Sequence, residues 1–115
     1  MSTKQLFEAR VRHQGDAAII DMWGEIYAGA EEMLNAAYAE AEGHNPAAIL
    51  LNFSNVGYIN STGIALIVGL LARARKSQRR LLACGLSEHY VEIFQITRLA
   101  DYMGVFADEA SALAA

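Results

Sequence analysis

The sequence predicts an α/β fold: a mixed, mostly parallel sheet that begins with an amino-terminal hairpin and packs against helices. Three observations lead there. Phe7, Ala9 and Val11 alternate with Glu8, Arg10 and Arg12, the period of two expected of a strand with one wet face. Ala47 to Phe53 is almost continuously apolar, as in a central strand covered on both faces. Between strand-like segments lie stretches with helical spacing, and parallel strands need crossover connections of that kind.

The elements follow in order. Gln14-Gly15-Asp16 supplies the turn of the hairpin, and Ala17 to Trp23 returns as the second strand, stopping at Gly24. Met33, Leu34, Ala37, Tyr38 and Ala41 then form one apolar stripe, with Glu31, Glu32, Asn35 and Glu42 elsewhere on the wheel, so a first helix ends near Gly43. Pro46 has no N–H to donate and suits the start of the third strand. Ser54 to Asn60 reads as a connecting loop. Ser61 to Ser77 reads as a helix, with Arg73, Arg75 and Lys76 near the end where cations favour the dipole. Leu81 to Gly85 is a short buried strand, and Ser87 caps a helix whose apolar contacts are Tyr90, Val91, Phe94 and Ile96. Tyr102 to Phe106 is a further strand and Asp108 to Ala115 a final helix. Periodicity does not decide whether the helices cover one face of the sheet or both.

Length and composition narrow the rest. A chain of 115 residues with 54% hydrophobic and 19% charged residues has enough apolar material for one core, and residues 1–115 are expected to form a single domain. Nine basic residues against 13 acidic ones give a formal net charge of −4, which argues against nucleic acid as a partner. Five of those nine, Arg73, Arg75, Lys76, Arg79 and Arg80, sit together, while Glu31, Glu32, Glu40 and Glu42 crowd an earlier segment, so the surface is expected to be electrically two-sided. One cysteine, Cys84, allows no intrachain disulfide, and its apolar neighbours suggest a buried strand thiol. Met1 to Arg10 lacks a signal-peptide core, and the longest apolar run, Ile64 to Ala72, is far short of the ~20 residues that span a bilayer. A cytoplasmic protein with no membrane insertion is expected.

The informative stretch is Asn60-Ser61-Thr62-Gly63, directly before an apolar helix. The plain reading is a helix cap, since these side-chain oxygens accept hydrogen bonds from the first free helix N–H groups. The functional reading is a phosphoacceptor: a hydroxyl at a helix start is exposed, and a phosphate there adds about −1.5 to −2 charge beside the positive end of the dipole.

At these residues the sequence resembles a known family. The run Leu51-Asn52-Phe53-Ser54-Asn55-Val56-Gly57-Tyr58-Ile59-Asn60-Ser61-Thr62-Gly63-Ile64-Ala65-Leu66-Ile67 is similar to the STAS-family pattern of a buried strand and then a loop ending in an acidic residue, Ser, Ser or Thr, and Gly. Leu81 to Ser87, followed by Val91, Ile93-Phe94 and Thr97-Arg98-Leu99, resembles that family's next strand and helix, and Gly24-Glu25-Ile26 resembles its Gly-Glu-Leu. The resemblance implies a STAS-like fold and a protein of the anti-sigma factor antagonist type. Such a protein is a partner switch that binds an anti-sigma factor or serine/threonine kinase and is controlled by phosphorylation. Carried onto this chain, Ser61 is the implied phosphoacceptor and Thr62 the less favoured one. Glu25, Tyr58, Asn60, Ser61, Thr62 and Gly63 form the implied partner-binding surface. Asn60 stands where bacterial antagonists usually have Asp, and Tyr27 where many have Asp after Gly-Glu-Leu. Two other readings accompany the switch. One is an unswitched scaffold of a stressosome-like or transporter-associated complex, with a homodimer or larger STAS assembly; the other is a small-ligand sensor.

Enzymatic chemistry finds little support. His13, His44 and His89 fall in separate elements without ligand spacing, so no metal is expected. Cys84 lacks a visible His or Asp partner, no Gly-x-Ser-x-Gly elbow surrounds a serine, and neither a Walker loop nor a dinucleotide glycine motif occurs. No catalytic residue and no cofactor are assigned. Trp23 is expected to be buried near the site and Tyr58 to be an exposed anchor.

Overall fold

The computed structural model describes residues 6–115, so the first half of the charged amino-terminal run lies outside the described residues. Strand β1 (Glu8–Gln14) folds back on β2 (Ala17–Ile26) as the antiparallel hairpin. Strands β3 (Ala48–Ile59), β4 (Arg80–Cys84) and β5 (Gly104–Phe106) then add in parallel, giving the order β1-β2-β3-β4-β5. The crossovers are α1 (Glu31–Glu42), α2 (Ser61–Lys76) and α3 (Glu88–Ile96), and α4 (Glu109–Leu113) follows β5. This is the mixed, mostly parallel α/β sheet with an amino-terminal hairpin that the sequence predicts.

The faces of the sheet are covered unequally. Ile20, Met22, Ile49, Leu51, Leu81 and Ala83 face the main core, where α1, α2 and α3 bring Leu34, Tyr38, Ile67, Leu70 and Phe94. Ile19, Leu50, Leu82 and Cys84 point the other way and meet α4 through Ala112. The continuous apolar run of β3 is thus explained, because its alternate residues serve both cores. Each fully buried Leu or Ile contributes about 1.5–3 kcal/mol relative to exposure.

Several boundaries differ from the expected ones. The segment from Ser54 to Asn60 is mostly strand rather than loop, because β2 does not stop at Gly24. It continues to Ile26 and pairs with β3 through Trp23↔Asn55, Glu25↔Tyr58 and Ile26↔Ile59, with register shifts on either side of Gly24. Gly24 has φ +94, and a Cβ there would overlap the carbonyl of Leu6, so this glycine marks a bulge inside a strand and not its end. Met33, expected in the buried stripe of α1, is 47% exposed, and Ile96 at the end of α3 is 70% exposed. The fifth strand is shorter than expected, being preceded by a 3-10 turn at Leu99–Asp101. Ser87 caps α3 through the Tyr90 N–H, as expected.

The two-sided charge distribution is partly cancelled. Glu42 at the end of α1 forms an ion pair with Arg73 of α2, and its other oxygen lies 3.6 Å from the Arg79 Nη1. Arg79 also donates to the Pro46 carbonyl at 2.7 Å, which fixes the loop between α1 and β3.

Candidate functional site

The site forms where β2 and β3 end and α2 begins, the carboxyl edge of a parallel sheet, where open α/β folds present their ligands. Asn60 is extended and caps α2: its Oδ1 accepts the Gly63 N–H at 2.8 Å, and its carbonyl accepts the Ile64 N–H at 2.9 Å. The Asn60 N–H in turn donates to the Ile26 carbonyl at 3.2 Å, tying the cap to the last residue of β2. Gly63 is buried against the same carbonyl, where a Cβ would overlap the Ile26 oxygen. The start of α2 therefore rests directly on β2, and only glycine allows that approach.

A second anchor comes from α3. The buried Tyr90 hydroxyl accepts the Ile59 N–H at 2.8 Å and donates to the Ile59 carbonyl at 3.3 Å. Beyond Asn52 the β4 side of β3 has no strand partner among the described residues, and Tyr90 satisfies the last backbone pair of that open edge. Sequence reasoning identified Tyr90 only as an apolar contact. The signal available was its type, since a buried tyrosine hydroxyl needs a partner, but nothing in the sequence names Ile59 as that partner.

Around these anchors the other expected residues converge. Ser61 and Thr62 are exposed in the first turn of α2, and Tyr58 is 51% exposed beside them. Glu25, partly buried, is the β2 partner of Tyr58. Glu25, Tyr58, Asn60, Ser61 and Thr62 thus share one surface, which Gly63 shapes from beneath. Trp23 is only partly buried, two residues before Glu25 in β2, with the Arg10 guanidinium 6.0 Å from its ring centre. The first turn of α2 carries no acidic side chain, so none of its own residues offsets the positive end of its dipole.

Groups with reactive chemistry lie elsewhere. The Cys84 thiol is buried in β4, and burial, aided by Glu109 and Asp21, pushes its pKa up to about 11, so it is protonated at neutral pH. Arg12 pairs with Asp21 at 2.6 Å and also with Glu109, joining β1, β2 and α4, and this guanidinium holds the Asp21 carboxyl below the usual range. Among the described residues no three or more His, Cys, Asp or Glu side chains are grouped to hold a metal ion. The histidines are nevertheless not all separate, because His13 and His44 bring their ring centres to 3.9 Å.

The STAS domain family model matches residues 8–112. The chain belongs to the STAS domain family. A segment of 57 residues, 50% of this chain, is 39% identical to an anti-sigma-B factor antagonist of Staphylococcus aureus, of which it covers 53%; the chain spans about half the length of the curated relatives it matches. In structure, this STAS chain is similar to an anti-sigma factor antagonist from Mycobacterium paratuberculosis, with TM-score 0.84, 16% identity and coverage of 99% of this chain and 97% of that one. It is also similar to the Bacillus cell fate determinant SpoIIAA in its phosphorylated form, with TM-score 0.71, 21% identity and coverage of 92% and 96%. At these identities the structural likeness bears on the fold. No helix of the described residues is long and apolar enough to cross a membrane.

Proposed function

We propose that this STAS protein is a partner-switching regulator: it binds an anti-sigma factor or serine kinase through the surface around Ser61, and phosphate on Ser61 ends that contact. The observation that carries the reading is the exposed Ser61 hydroxyl in the first turn of a 16-residue helix whose cap is supplied by Asn60 instead. The hydroxyl is free for modification because the fold does not spend it on capping. Thr62, one position on, is the second acceptor in this reading. The absence of an acidic side chain in the first turn favours an added anion there. The relatives named anti-sigma-B factor antagonists support the partner class, and the SpoIIAA structure titled as phosphorylated supports tolerance of phosphate by this fold.

The partner supplies nucleotide and catalysis, so this chain needs neither cofactor nor catalytic base. Asn60 in place of the usual acid implies a kinase that does not depend on that acid. Calorimetry with the cognate kinase or anti-sigma protein tests the reading. Ser61→Glu should weaken binding at least tenfold, about 1.4 kcal/mol, with a thermal midpoint near wild type, while Ser61→Ala should bind like wild type. Equal affinities for wild type and Ser61→Glu would favour the constitutive scaffold instead.

A further inference from the structure

His13 is the last residue but one of strand β1 and His44 follows α1, 31 positions later, yet their rings meet with centres 3.9 Å apart and planes inclined at 47°. Both imidazoles are exposed, so neither is committed to packing in the core. They line an open cavity of about 550 Å³ whose wall also includes Asp16, Asn45 and Arg79.

The backbone beneath the pair is held on three sides. The Ala47 N–H donates to the Asp16 carbonyl at 2.8 Å, which joins the hairpin turn to the loop carrying His44. The Asn45 N–H donates to Glu42 at 2.8 Å, and Arg79 reaches the Pro46 carbonyl at 2.7 Å and the Asn45 Oδ1 at 3.0 Å. The charge of Arg79 is met by Glu42, so it does not stand as an uncompensated cation beside the imidazoles. Two imidazoles bound to one ion at ~2.0–2.1 Å have ring centres roughly 4.5–5.5 Å apart. A small opening of the pair, by side-chain rotation in solvent, reaches that geometry.

We propose that His13 and His44 form a two-imidazole site for a late first-row divalent cation of the zinc or nickel class. Water fills the remaining positions, and Asp16, another residue of the cavity wall, is too far from the pair to serve as a third ligand. Neutral imidazole is a preferred donor for these ions. With two protein ligands the ion is exchangeable, and it clips the β1–β2 turn to the α1–β3 loop without being needed for folding. The site is independent of the surface around Ser61.

The test is calorimetric titration of the full, untagged chain with zinc chloride and separately with nickel chloride, alongside His13→Ala, His44→Ala and His89→Ala. Saturable binding of one ion per chain is expected. Either of the first two variants should weaken it at least about tenfold, whereas His89→Ala should match wild type. The thermal midpoint should rise with added zinc in wild type and not in the His13 or His44 variants, whose metal-free midpoints should equal that of wild type. Absence of saturable binding, equal binding by wild type and both variants, or loss of binding in His89→Ala would overturn the site and leave the two rings as a tilted contact pair only.

Discussion

Tyr90→Phe isolates the anchor that α3 provides to the site. The change removes one oxygen and keeps the ring, so the packing of the 8%-exposed side chain in the core is retained. What is lost is the acceptor 2.8 Å from the Ile59 N–H and the donor 3.3 Å from the Ile59 carbonyl, at a residue only 5% exposed. A buried backbone group left unpaired costs about 1–3 kcal/mol, and the longer of the two bonds contributes less. The expected loss is about 2 kcal/mol, or roughly 8 °C in thermal midpoint at ~4 °C per kcal/mol for a domain of this size. Urea unfolding followed by circular dichroism measures the total, and amide hydrogen exchange locates it. The Ile59 N–H should lose protection beyond the global change, since its bond partner has gone. A loss below about 0.5 kcal/mol with Ile59 equally protected would mean that the hydroxyl does not hold the end of β3.

Other outcomes follow from the same contacts. Gly63→Ala, which inside an ordinary helix would gain about 1 kcal/mol, should instead lose about 1–3 kcal/mol in thermal unfolding, because the new methyl meets the Ile26 backbone rather than a flexible side chain. Asn60→Ala should lose about 1 kcal/mol with the cap, whereas Asn60→Asp, which keeps an acceptor at the same position, should unfold within about 0.5 kcal/mol of wild type. Cys84, raised by burial to about 11, should resist iodoacetamide in the native protein at neutral pH and react on unfolding. Its contribution to stability should be full below its ordinary value of 9.0 and lost as the pH rises through about 11, read as a falling urea midpoint.

How much of this the sequence discloses depends on the range of the interaction. The hairpin, the buried β3 run and the capping side chains Asn60 and Ser87 are local signals, carried by alternation, apolar continuity and residue type, and the structure agrees with them. The end of β2 is not legible in the sequence because a glycine within a strand and a glycine after one look the same there. Only the pairing with β3 and the carbonyl of Leu6 distinguish them. For the same reason the second half of β3 reads as a loop. Tyr90 over Ile59, and His13 against His44, lie 31 positions apart in both cases, beyond any periodic pattern. Likewise the basic group at the end of α2 and just after it is readable as a cluster, while its partner Glu42 is visible only as part of an acidic segment on another helix.

The division of labour among the site residues explains how a surface can be changed chemically without loss of the fold. The bonds that hold the start of α2 run from Asn60 to Gly63 and Ile64, from Asn60 to Ile26, and from Tyr90 to Ile59. All of them are made by backbone groups or by side chains other than Ser61 and Thr62, which stand exposed above them. A phosphate added to Ser61 would therefore break none of these bonds, and at the helix start it would gain roughly 0.3–1 kcal/mol from the dipole. The same anion pressed into a partner's interface without a cation to meet it would cost several kcal/mol in lost hydration. Under the proposed switch, opposite signs at one atom, small and favourable for the fold but large and unfavourable for the contact, would let binding change while the chain stays folded.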